Sequence, residues 1–115
     1  FGNQAFSALR LPNGNTLIGT GNGHSILEVT PDKNIAWQLR QKDLPGITLA
    51  WVTTLSVLPN NHIVFGNCHA GPGQPQIIEI ADRGKTPIWT FEHFDIVGND
   101  LTNSVLIDMA QKTNR

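Results

Sequence analysis

The sequence predicts an all-β fold built of consecutive four-stranded antiparallel sheets, and three observations carry that prediction. The composition favours turns over charge, the chain repeats itself at a spacing near 50 residues, and the same turn chemistry recurs inside each copy. Of 115 residues, 11 are Gly and 7 are Pro, while 15% are charged, against roughly a quarter in an average soluble protein. A chain of this length is in the range of one domain able to bury its own core.

The repeat sets the boundaries of every element. Leu11-Pro12-Asn13 returns as Leu58-Pro59-Asn60, and Gly19 returns as Gly66, both 47 residues on. Ile26-Leu27-Glu28-Val29 returns as Ile77-Ile78-Glu79-Ile80 after 51 residues, the second copy carrying a longer loop, "HAGPGQPQ". Trp37 returns as Trp89, and Ser56-Val57-Leu58 returns as Ser104-Val105-Leu106. Self-similarity at such a period is the mark of a modular fold.

Each copy divides into four short apolar segments separated by turn signals, as consecutive antiparallel strands do. In the first copy the strands are expected near 5–11, 16–20, 25–30 and 35–40. Pro12-Asn13-Gly14-Asn15 supplies Asn-Gly where a tight hairpin needs positive φ, and Pro59-Asn60-Asn61-His62 puts Asn in the glycine position. Pro31-Asp32-Lys33-Asn34 and Asp82-Arg83-Gly84-Lys85 turn the chain between the third and fourth strands. Helix is disfavoured throughout, because no long window keeps a 3.6 period free of Gly, Pro or β-branched clusters. The tail after Ile107 is the one place expected to coil or fray.

Four-stranded units at this period read as β-propeller blades. The expectation is one propeller fragment over 1–115, with a blade at 5–40, a second at 52–92 and the first strand of a third at 101–108. Two blades do not close a ring. The partner expected is therefore either further copies in a homo-oligomer or the remainder of a longer propeller. The start at Phe1 rather than Met is read as a processed or truncated product.

The formal charge of −1 leaves no broad positive field, so neither nucleic acid nor an anionic membrane surface is favoured. No apolar run approaches 18 residues, so no membrane span is expected. Cys68 is the single cysteine and forms no internal disulfide.

In a four-stranded up-and-down blade the first and third turns share one face, and the middle loop and blade-to-blade connection share the other. Asn13, Asp32, Asn60, His62 and Arg83 then belong to the tight-turn face. Asn22, His24, Asn67, Cys68, His69 and the connections 41–51 and 92–100 belong to the opposite face, whose longer loops make it the candidate binding side. The candidate ligand-binding residues are Asn22, His24, Asp43, Trp51, Asn67 and His69. Imidazole titrates near neutrality and ligates soft and borderline metals, which makes His24 and His69 the chemical centre of that set. Trp51 supplies a flat platform. Asp43, Asp95 and Asp100 are mainly turn residues able to orient a histidine or hold calcium, and Cys68 reads as a small buried hydrophobe. Glu28 and Glu79 pair between blades or face solvent, and His62 and His93 carry no role. The run "GTGNGH" at 19–24 has neither the Lys-Ser/Thr ending nor the following helix of a phosphate loop.

The stretches "EVTPDKNIAWQL" and "EIADRGKTPIWTF" resemble the tryptophan-ended strand pairs of quinoprotein-like propellers, in which the Trp docks on the neighbouring blade; Trp37 and Trp89 hold the matching positions. "LPNGNTLIGTGNG" is similar to bacterial NHL-like, lactonase-like and arylsulfotransferase-like blades. The resemblance implies a periplasmic or extracellular protein. Quinoprotein dehydrogenases carry a vicinal cysteine pair and a calcium-binding Glu/Asn/Asp set. A lone Cys68 supplies no such pair, so no cofactor and no metal is assigned. The function expected is a non-catalytic binding or interaction module for a ligand or protein partner. The alternative is a propeller hydrolase, lyase or sulfotransferase-like enzyme with a histidine and metal site at the channel mouth.

Overall fold

The computed structural model describes residues 4–107. It is all-β, with eight strands in two four-stranded antiparallel sheets and almost no helix. The first sheet contains β1 (Ser7–Arg10), β2 (Thr16–Gly19), β3 (Ser25–Val29) and β4 (Ile35–Arg40). The second contains β5 (Trp51–Val57), β6 (Ile63–Cys68), β7 (Ile77–Ile80) and β8 (Pro87–Phe91). In both, spatial order follows chain order, so each sheet is a simple meander.

The turns form for the reasons their residues suggest. Asn15 and Leu11 close the β1–β2 turn, where the Leu11 amide donates to the Asn15 carbonyl and Gly14 sits at φ 90°. The β5–β6 turn repeats this with Leu58 and His62, and Asn61 takes φ 67° in the glycine's place. Asn tolerates the left-handed region better than most residues. The later turns place Lys33 at φ 69° and Arg83 at φ 52°. Both sheets also break register at the same point, between Glu28 and Val29 and between Glu79 and Ile80.

The sheets pack on each other through β1 and β2 against β5. Gly21 and Val52 form an antiparallel bridge across the junction, with hydrogen bonds of 2.9 and 3.1 Å, and the Ser7 hydroxyl donates to the Thr53 carbonyl. Gly19 permits this approach, since a Cβ there would lie 2.6 Å from the Ser7 hydroxyl and 3.2 Å from the Thr53 carbonyl. One core results, drawn from both sheets and their connection: Leu17, Ile26 and Leu39 meet Leu49, Val52, Phe65 and Ile78.

Two expectations are corrected. Helix is not absent: Gln41–Asp43 makes a 3-10 turn and Phe94–Val97 a single α-turn, each inside a connection. The Asp43 carboxylate accepts from the Arg40 amide at 2.8 Å to start the first. Gly98 ends the second at φ 58°, donating to the Phe94 carbonyl. The strand expected at 101–108 is not formed over 101–107, where the backbone joins no ladder; residue 108 and the tail beyond lie outside the described residues. Among the described residues no helix is long and apolar enough to cross a membrane.

Candidate functional site

The β2–β3 and β6–β7 loops each carry a histidine in the left-handed region, His24 at φ 57° and His69 at φ 64°. Non-glycine residues pay for that conformation and hold it where neighbours impose it. For His24 the neighbour is the connection to the second sheet: its Nδ1 lies 2.9 Å from the Ala50 carbonyl, next to Trp51. His69 tilts against the Trp51 ring with centroids 5.8 Å apart. Phe6 meets the same indole edge-on at 6.4 Å.

These rings, with Cys68, Thr53 and Thr102, line a notch of about 150 Å³. Two polar atoms of these residues are buried without a hydrogen-bond partner, the Trp51 Nε1 and the Thr53 Oγ1. They are packed against Gly21 and Gly66, and the surface that lines the notch is apolar.

Cys68 lies under His69, its Sγ 2.8 Å from the imidazole Nδ1 and donating to the Asn99 carbonyl at 2.8 Å. Burial pushes the thiol up, and the hydrogen bond from the His69 backbone offsets that in part. A thiol held protonated is a poor nucleophile. Cys68 therefore acts as a wall of the notch.

Of the six candidate residues, Trp51 and His69 stand in the notch and His24 beside it. Asn22 is exposed in the same loop as His24, its backbone amide donating to the Gln4 side chain. Two others leave the set. Asn67 is fully buried: its Oδ1 accepts from the Ala50 amide at 3.0 Å, and its Nδ2 donates to the Thr48 and Pro75 carbonyls at 2.8 and 3.0 Å. Every polar atom of that side chain is spent on holding the connection against the β6–β7 loop. Asp43 starts its own 3-10 turn and meets Lys85 at 3.4 Å. The Arg40 amide holds its carboxyl below the usual range; burial opposes this, and Lys85 adds to it. Among the described residues, no group of three or more His, Cys, Asp or Glu side chains is placed to hold a metal ion.

A larger cleft, about 610 Å³, opens where the tight turns of the two sheets meet, lined by Asn13, Glu28, Trp37, Asn61 and Arg83 among others. Its polar groups form a clasp. Glu28 is 5% exposed, accepts from the Asn15 side-chain Nδ2 at 2.8 Å, and pairs with the Arg83 Nε at 2.5 Å. Trp37, across the strand from Glu28, donates its indole N–H to the Arg83 carbonyl at 2.9 Å and lies under the guanidinium at 5.7 Å. Burial raises the Glu28 carboxyl, but Asn15 and Arg83 together outweigh it and keep the group below its ordinary value. Glu28, Asn15, Trp37 and the Arg83 Nε and carbonyl are spent on one another across the two sheets, which makes the larger cleft the seam between them, while the Arg83 Nη1 is buried without a hydrogen bond.

Sequence reasoning did not single out Phe6, Thr53 and Thr102 in the notch, or Asn15 and Arg83 as the partners of Glu28. The one available signal was positional: Asn15 stands ahead of β2 where His62 stands ahead of β6.

No family model and no curated protein matches the chain. Among solved structures it is similar to a protein of unknown function from Bacteroides caccae, a crystal structure at 1.35 Å resolution. The TM-score is 0.71 and the identity 23% over 86% of this chain, which spans 38% of the length of that protein. The likeness is one of fold.

Proposed function

We propose that the chain is a non-catalytic binding module of β-propeller type, its two sheets being consecutive blades and its ligand contacts lying in the Trp51–His69 notch. The observation that carries this reading is the apolar notch walled by Phe6, Trp51 and His69, with His69 exposed on it and His24 exposed beside it. A cavity of about 150 Å³ suits a single ring, since an apolar cavity of that size takes up benzene. The ligand chemistry that fits is a flat or ring-shaped neutral group that packs on the Trp51 and His69 rings. The resemblance of the blades to bacterial propellers is the ground for placing the module in the periplasm or outside the cell.

The test is calorimetric titration with indole, phenol and methyl glucopyranoside, on the unaltered chain and on the His24→Ala/His69→Ala double variant. The proposal expects at least one probe to bind and the double variant to weaken it about tenfold. Equal affinity for both proteins would overturn the assignment of that face.

A further inference from the structure

The seam between the two sheets has a second, unfilled edition. In the first sheet, Glu28 stands opposite Trp37 across β3 and β4, beside a register break, with Asn15 on its carboxylate. In the second sheet, Glu79 stands opposite Trp89 across β7 and β8, beside the same register break, with His62 on its carboxylate at 2.8 Å. The first set is closed by Arg83 from the neighbouring sheet, whose carbonyl takes the Trp37 indole and whose side chain pairs with Glu28. Among the described residues the second set has no such visitor: Glu79 pairs with His62 alone, and Trp89 is 49% exposed beside Ile88 at 50%. A large apolar surface flanking a half-satisfied carboxylate marks a docking face.

From this we infer that a second copy of the chain docks head to tail on the β7–β8 face, with its β3–β4 turn entering the Glu79/Trp89 socket as the Arg83 turn enters the Glu28/Trp37 one. The inference rests on the propeller reading and names the partner of the module. The incoming turn has the right charge. It carries Lys33, exposed and at φ 69°, in the β3–β4 turn of the first sheet, where the second sheet has the turn bearing Arg83. Lys33 reaches Glu79, and a carbonyl of that turn accepts from the Trp89 indole. Residues 101–107 lie beside β5 without backbone pairing, held through the Ser104–Thr54 hydroxyl contact, so the incoming β1 displaces a segment that gives up no strand ladder.

The interface is heterologous and so generates a closed ring or an open filament. Each copy brings two sheets and propellers close at about four to eight. Closure therefore corresponds to two, three or four copies of the 12.6 kDa chain.

Light scattering on a sizing column, over a concentration series of the full chain, tests the inference together with three variants: Lys33→Glu, Glu79→Lys and the two combined. Lys33 is exposed and Glu79 only half-buried, and circular dichroism checks that each variant keeps its fold. The expected result is a discrete species of two to four copies whose dissociation constant rises about tenfold or more in each single variant, as for close interfacial charge pairs. The combined variant restores it, because the charges are exchanged across the interface. A monomer at every concentration up to about millimolar overturns the second copy as occupant, while leaving the propeller reading to a longer polypeptide. A discrete assembly indifferent to both single variants overturns the socket, while leaving ring closure intact.

Discussion

Arg83→Met separates the clasp from ordinary packing. The methionine keeps most of the apolar stem over Trp37 and removes the charge that faces Glu28. The Glu28 carboxylate is 6% exposed and would keep Asn15 as its hydrogen-bond donor while losing the guanidinium. Removing one partner of a buried ion pair costs about 3–5 kcal/mol. Arg83 is 28% exposed, which admits water and places the loss near 3 kcal/mol. The cation over Trp37 adds about 0.5–1 kcal/mol. A total near 3–4 kcal/mol is a large share of the ~5–15 kcal/mol stability of a domain. Urea unfolding followed by circular dichroism measures it, and the cycle with Glu28→Gln isolates the pair term, expected at about 2 kcal/mol or more. Because Glu28 is held below its ordinary value of 4.5, its contribution is fully present above that value and fades as pH falls through the lower folded value. The stability difference between the unaltered chain and Glu28→Gln therefore narrows in acid. Additivity of the two variants within about 0.5 kcal/mol at neutral pH, where Glu28 is ionised, would refute the reasoning.

Other substitutions probe the junction and the notch. Gly19→Ala forces a Cβ against the Ser7 hydroxyl and the Thr53 carbonyl, so thermal melts should show a loss of about 1–3 kcal/mol, the usual cost of overpacking. Asn67→Ala strands the Ala50 amide and the Thr48 and Pro75 carbonyls; a loss of about 2–4 kcal/mol in urea is expected, and a neutral result would show that the connection is not held there. Cys68 should react with a thiol reagent at neutral pH far more slowly than free cysteine, because burial raises its thiol and its proton is bonded to Asn99. Fast labelling of the folded chain would contradict that placement.

The strands were legible because each is bounded by turn chemistry that works locally. Pro12 to Asn15 and Pro59 to His62 need no distant contact to make a turn, and the same holds for Pro31 to Asn34. The short helical turns escaped for the opposite reason. Gln41–Asp43 depends on a carboxylate reaching back to one amide, and Phe94–Val97 is a single turn too short for any periodicity to reveal. Trp51 and His69 stood out as residue types, and their contact follows from loops that share one end of the sheets. Asn67 misled because an amide in a loop-bearing stretch looks available; its burial depends on where the 41–51 connection lies, which distant packing decides. Glu28 was recognised as an inter-sheet or solvent-facing acid, but its partner Arg83 lies 55 residues away. Nothing local in either segment names the other.

The most direct measurement uses the indole N–H groups of the three tryptophans, observed together by nitrogen-15 correlation spectroscopy with hydrogen exchange. The account predicts three different behaviours. Trp37 is protected by its bond to Arg83 and silent to ring-shaped ligands. Trp51, whose ring walls the notch, shifts first when such a ligand is added. Trp89 exchanges freely in the dilute chain and becomes protected as concentration rises. A spectrum in which Trp51 ignores every probe and Trp37 exchanges as fast as Trp89 would contradict both the notch and the seam.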